Sequence, residues 1–130
     1  MIGRIMMVDD EPDAEELFRQ NFRKEIRKGV YTFVFARSGA EALQRLGEEE
    51  SANVALVLSD INMPGMSGIE LLGHIKAKWP DVPVFIVTAY GDSATASKAF
   101  EQGAAQFLTK PLEFVNLKSE LAEILQEQSS

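Results

Sequence analysis

Five short apolar runs alternate with longer amphipathic stretches, and this alternation constrains the chain more than any other feature. The runs are Arg4–Val8, Tyr31–Ala36, Val54–Ser59, Val82–Thr88 and Ala105–Leu108. Most are continuously apolar rather than alternating, which suits strands covered on both faces, as in a parallel sheet. Between them, apolar residues recur every three or four positions. Ala14, Leu17, Phe18, Phe22 and Ile26 form the first stripe. Ala42, Leu43 and Leu46 form the second, and Ile69, Leu72, Ile75 and Trp79 the third. The last stripe is Phe114, Leu117, Leu121, Ile124 and Leu125. The fourth helix, about Ser93–Gln102, has a weak face of Ala96, Ala99 and Phe100, so shallow packing and easy movement are expected. Pro12 sits at a helix start, and Gly29 and Gly103 stand where helices should stop. Five strands alternating with five helices predict a doubly wound α/β domain with right-handed crossovers.

The length of 130 residues is that of one domain. The chain contains no cysteine and one histidine, His74. Disulfides, thiolate metal sites, cysteine nucleophiles and multi-histidine sites are therefore excluded. With 13 basic and 20 acidic residues the net charge is −7, the wrong balance for gripping nucleic-acid phosphates. The apolar runs are far shorter than the ~20 residues of a membrane span, and the N-terminus does not read as a signal peptide. The expectation is a soluble, cytoplasmic, acidic domain.

In doubly wound sheets the ligand sits beyond the carboxyl ends of the strands. Asp9, Asp10 and Glu11 follow the first run, and Asp60 follows the third. The fourth ends at Thr88, and Thr109, Lys110 and Pro111 follow the fifth. Taken singly, an Asp after a strand is also a common cap or turn residue. Together they bring several carboxylates, a hydroxyl and an ammonium to one rim, where bare carboxylates would repel each other without purpose. Clustered oxygen donors suit a hard divalent ion such as Mg²⁺. An Asp carboxylate can attack phosphorus, and a cation and a donor such as Lys110 and Thr88 can meet phosphoryl oxygens.

Four separated motifs carry a family resemblance: Val8-Asp9-Asp10-Glu11-Pro12, Asp60-Ile61-Asn62-Met63-Pro64-Gly65-Met66-Ser67-Gly68, Val87-Thr88-Ala89, and Gly103-Ala104 with Phe107-Leu108-Thr109-Lys110-Pro111. In order and spacing the chain resembles the receiver domain of two-component response regulators, over roughly Arg4–Leu125. The resemblance implies a flavodoxin-like sheet in the order 2-1-3-4-5. It implies a receiver domain over residues 1–125, leaving 126–130 as a frayed tail or the start of a linker. Asp60 then resembles the phosphoacceptor and Asp10 a direct Mg²⁺ ligand, with Asp9 acting largely through water. Asn62 matches the position whose backbone carbonyl meets the metal. Thr88 is similar to the switch hydroxyl and Lys110 to the lysine that pairs with a phosphoryl oxygen. Phe107 stands at the switch aromatic. Being Phe rather than Tyr, it has no hydroxyl, so any coupling to Thr88 rests on packing. The Lys110–Pro111 bond is implied to be cis.

The implied function is a phosphorylation switch rather than an enzyme acting on a separate substrate. A histidine kinase or histidine phosphotransfer domain supplies the phosphoryl group, and self-dephosphorylation makes the mark temporary. The readout is a shift of the face made by the fourth helix, fifth strand and fifth helix, which could also serve a homodimer. The output is either a separate partner or a further part of a longer regulator. A phosphatase of the haloacid dehalogenase class also joins an Asp nucleophile to Mg²⁺, Thr and Lys. There the nucleophile comes first in the chain and a second Asp two residues on is the general acid, whereas this chain has Asn62 in that place. A degenerate receiver that only binds would require a missing site residue, and none is missing.

The basic group Arg19, Arg23, Lys24, Arg27 and Lys28 reads as charge offsetting a helix dipole. Glu48–Glu50 reads as a solvated run, Met63 and Met66 as packing, His74 as a surface residue and Trp79 as core. Tyr90 reads either as a gate to Asp60 or as an exposed loop residue.

Overall fold

The computed structural model describes residues 3–48, 54–89, 91–110 and 112–129, with side chains through residue 124. Tyr90, Pro111 and Glu49–Glu50 lie outside the described residues, and with them the readings of Tyr90 as a gate and of the Lys110–Pro111 bond as cis. Eleven elements follow in order: β1 (Gly3–Val8), α1 (Pro12–Asn21), α2 (Arg23–Arg27), β2 (Tyr31–Ala36), α3 (Gly39–Leu46), β3 (Val54–Asp60), α4 (Gly68–Lys78), β4 (Val84–Thr88), α5 (Ser93–Glu101), β5 (Gln106–Thr109) and α6 (Phe114–Ser129).

All pairings are parallel and the sheet order is β2-β1-β3-β4-β5. β1 therefore lies between β2 and β3, and the chain reverses its winding direction there. The two-residue period of a strand sends neighbours to opposite faces. Ile5 and Met7 join Phe18, Phe22, Leu56, Leu58, Leu117 and Leu121 under α1 and α6. Met6 and Val8 join Ala42, Leu46, Val57, Leu72, Ile75 and Ala99 under α3, α4 and α5. Both faces are covered, which is why the strand runs are continuously apolar.

The first helical stripe differs from expectation: it forms two helices, giving six among the described residues. The break is at Phe22, whose backbone leaves helical geometry at φ −107°, ψ 18°. The i→i−4 hydrogen bonds continue through it, from Phe22 N–H to Phe18 O and from Ile26 N–H to Phe22 O, each at 2.9 Å. The Phe22 ring is fully buried and packs against Phe18, Tyr31, Phe33 and Phe114 at centroid distances of 5.0–6.1 Å. Seating that ring among four others bends the chain without breaking its ladder. The expected fourth and fifth helices are thus α5 and α6.

α5 buries Ala99, but Phe100 is half exposed and not part of the packed face. Gly29 and Gly103 end helical segments at φ +74° and +102°, a region that disfavours side chains. Met63 and Met66 pack against the α3–α4 cluster, His74 is exposed, and Trp79 is partly buried at the end of α4. Helical backbone in α6 continues past Leu125 to Ser129.

Candidate phosphoryl-transfer site

The carboxyl ends of β1, β3, β4 and β5 converge on one rim. Asp9 directly follows β1, and its backbone N–H extends the sheet by bonding Ala36 O at 3.0 Å. Asp60 ends β3 in register with Val87. Ile61 N–H then reaches Val87 O at 3.1 Å, so the chain leaves β3 still tied to β4. Thr88 ends β4 opposite Thr109, and Lys110 N–H bonds Thr88 O at 2.8 Å. The sheet hydrogen bonding therefore carries each site residue to its place.

Carboxylate oxygens of Asp9, Asp10 and Asp60 all lie within 4.8 Å of one another. Asp9 and Asp60 are each 5% exposed and Thr88 1%, while Asp10 is half-buried. Lys110 Nζ donates to Asp60 Oδ2 at 3.1 Å and to Asp9 Oδ2 at 3.2 Å. The other oxygens are held by the backbone: Glu11 N–H donates to Asp9 Oδ1 at 3.0 Å and Asn62 N–H to Asp60 Oδ1 at 3.3 Å. Asn62's own side chain is exposed. Phe107 is half-buried at the edge of the α3–α4–α5 cluster.

The electrostatics follow from this crowding. Burial pushes the Asp9 carboxyl above its usual range and the Asp60 charge adds to the rise; the Glu11 amide and Lys110 pull against it. Burial works to lower the Lys110 ammonium, but its hydrogen bond to Asp60 and the charges of both aspartates outweigh that and hold it above the ordinary lysine value. One ammonium thus faces three carboxylates, which leaves the rim anionic. The donors are all hard oxygens, and two of the three groups are nearly buried. This set fits Mg²⁺.

Each expected site residue that is described stands at this rim or beside it. Two glycines also shape the site. A Cβ on Gly68 would lie 2.1 Å from Asp60 O, and one on Gly91 2.1 Å from Thr109 Cγ2. The start of α4 therefore rests on the backbone of Asp60, and the β4–α5 loop rests on the strand bearing Thr109. Gly68 stood in a recognised motif, but nothing in the sequence tells a contact glycine from a turn glycine.

The family model of the response regulator receiver domain matches residues 5–122. The chain is 38% identical over 113 residues to the response regulator protein FleR of Pseudomonas aeruginosa, covering 87% of this chain and 22% of FleR. A receiver domain structure described as CheY-like, from Methanospirillum hungatei, superposes with a TM-score of 0.87 at 27% identity, over 99% of this chain and 98% of that one. The response regulator TrrA of Thermotoga maritima, solved in complex with Mg²⁺-BeF, superposes at 0.75 with 33% identity, over 94% and 98%. The chain belongs to the response regulator receiver domain family. It spans less than a third of the length of the curated relatives it matches.

Proposed function

We propose that this receiver domain is a phosphorylation switch that accepts a phosphoryl group on Asp60. The donor is a phosphohistidine of a histidine kinase or histidine phosphotransfer protein. A carboxylate oxygen of Asp60 attacks phosphorus, the phosphorus–nitrogen bond breaks, and the imidazole nitrogen leaves with the electron pair. Asp9, Asp10 and Asp60, with the Asn62 backbone carbonyl, would hold Mg²⁺, which offsets the charge gathered when a phosphoryl group enters an anionic pocket. The Mg²⁺-BeF complex of TrrA supports that reading. Lys110, already bonded to Asp60, exchanges a carboxylate partner for a phosphoryl oxygen. Thr88 ends the strand beside it and supplies a hydroxyl. Hydrolysis of the acyl phosphate by the domain itself resets the switch.

The observation that carries this reading is the meeting of three carboxylates and one lysine from β1, β3 and β5 at one buried rim. The output passes through the α5–β5–α6 face to an effector or partner protein, or to a second copy of the domain. We place the protein in the cytoplasm, where such donors act. Among the described residues no helix is long and apolar enough to cross a membrane.

The test is intact mass after incubation with Mg²⁺ and acetyl phosphate, comparing the chain with Asp60→Asn. A Mg²⁺-dependent gain of one phosphoryl group, absent in the variant, is the expected outcome. The same gain in Asp60→Asn would place the acceptor elsewhere.

A further inference from the structure

β5 is the outer strand of the sheet, and among the described residues no other strand pairs with its far side. Ala105 N–H bonds Val84 O at 2.8 Å. Lys110 N–H bonds Thr88 O at 2.8 Å, and in the parallel register of β4 and β5 the peptide groups of Gln106 and Leu108 likewise turn toward β4, so those of Phe107 and Thr109 turn outward. Such an edge is a template for another extended chain.

A groove of about 260 Å³ runs beside this edge, floored by Phe107, Leu108 and Thr109 and walled by α6. Among the described residues its charged lining is Glu113 and Glu120, with no Lys or Arg. Glu113 is engaged by Asn116 Nδ2. Glu120 Oε2 is buried and has no hydrogen-bond partner among the described residues. A buried carboxylate oxygen left unpaired costs free energy that an incoming cationic donor would recover.

We infer that the β5 edge and the α6 wall form a docking groove for an extended, Lys- or Arg-bearing segment of a partner protein. Its backbone pairs with Phe107 and Thr109, and a cationic side chain meets Glu120. The occupant is argued from charge complementarity and from the open edge together. A helical partner would leave the strand's peptide groups unpaired, and an acidic one would face two carboxylates. This deepens the reading of the α5–β5–α6 face as the output surface and rests on it.

The test is an NMR titration of the isotopically labelled full chain with the capped peptide Val-Lys-Val-Lys-Val, using Val-Glu-Val-Glu-Val as control. The lysine peptide is expected to shift the amides of Gln106–Thr109 and of residues 113–120, with affinity falling as salt rises; the glutamate peptide should shift neither. Glu120→Gln should weaken binding roughly fivefold or more, as removal of a part-buried charge partner does. Its melting temperature and unshifted spectrum report that the fold is intact. No shifts at β5, equal binding of the two peptides, or full affinity in Glu120→Gln would each overturn the proposal. Running the titration on unphosphorylated protein and on Asp60→Asn keeps it independent of phosphoryl transfer, so either reading can fail without the other.

Discussion

At the scale of the residue, the site is defined as much by what is missing from a side chain as by what is present. Gly68 allows the first turn of α4 to rest on the Asp60 carbonyl. A methyl group there meets backbone on the Asp60 side, which cannot move without moving the acceptor. Gly68→Ala should therefore lower the rate of phosphoryl gain at least tenfold, since small displacements of a reacting group carry large kinetic penalties. Overpacking should cost about 1–3 kcal/mol of stability. Intact-mass kinetics and urea unfolding read the two effects separately. Tyr31 offers a second residue-scale test. Burial, aided by the Glu25 carboxylate, raises its phenol above the ordinary value of 10.0. A group whose folded pKa is raised stabilises fully below its unfolded value and loses that contribution as pH rises through the folded one. Stability should thus fall with pH above about 10. Tyr31→Phe should flatten that limb and remove the raised tyrosine step from an ultraviolet titration.

At the scale of the element, the two helices after β3 differ in how firmly they are tied. α4 begins with a reciprocal capping box, Ser67 with Glu70, and buries Ile69, Leu71, Leu72 and Ile75. α5 buries only Ala99 among its larger contacts and depends at its start on Asp92, whose carboxylate accepts from Thr95 N–H at 2.7 Å. That hydrogen bond holds the Asp92 carboxyl below its usual range. Asp92→Ala should speed hydrogen exchange through α5 while leaving α4 unchanged, measured by exchange mass spectrometry. A matching rise in α4 would show that the two helices open as one unit. The shallow packing of α5 was legible from its alanines. The exposure of Phe100 was not, because a nine-residue helix offers that position to whichever neighbour the sheet provides.

At the scale of the whole molecule, one sheet feeds two apolar clusters from opposite faces of the same strands. Val57 and Leu58 are successive residues of β3, yet Val57 belongs to the α3–α4–α5 side and Leu58 to the α1–α6 side. The clusters share a backbone and should unfold together. Leu58→Ala should cost about 2–5 kcal/mol, and Val57→Ala should shift the same single transition. Chemical denaturation followed by both fluorescence and circular dichroism checks this: two separated transitions would mean that the faces unfold independently.

The sequence by itself determined the strand and helix alternation, the fold class and the acidic residues at the strand ends. Each of these is a local signal: a short continuous apolar run, an apolar stripe recurring every three or four residues, or a side chain placed directly after an apolar run. The four motifs also marked Asp60, Thr88 and Lys110 before any geometry was known. What only the tertiary structure decided depends on distant segments meeting. Lys110 spans Asp9 and Asp60, residues 101 and 50 positions away, because parallel pairing sets the ends of β1, β3 and β5 on one rim. The division of the first helix at Phe22 came from four aromatic neighbours contributed by α1, β2 and α6. The contact between Gly68 and Asp60 likewise exists only once α4 has folded back against β3. Local propensity is carried by neighbours in the chain, whereas packing and charge pairing act through space between residues the chain keeps far apart.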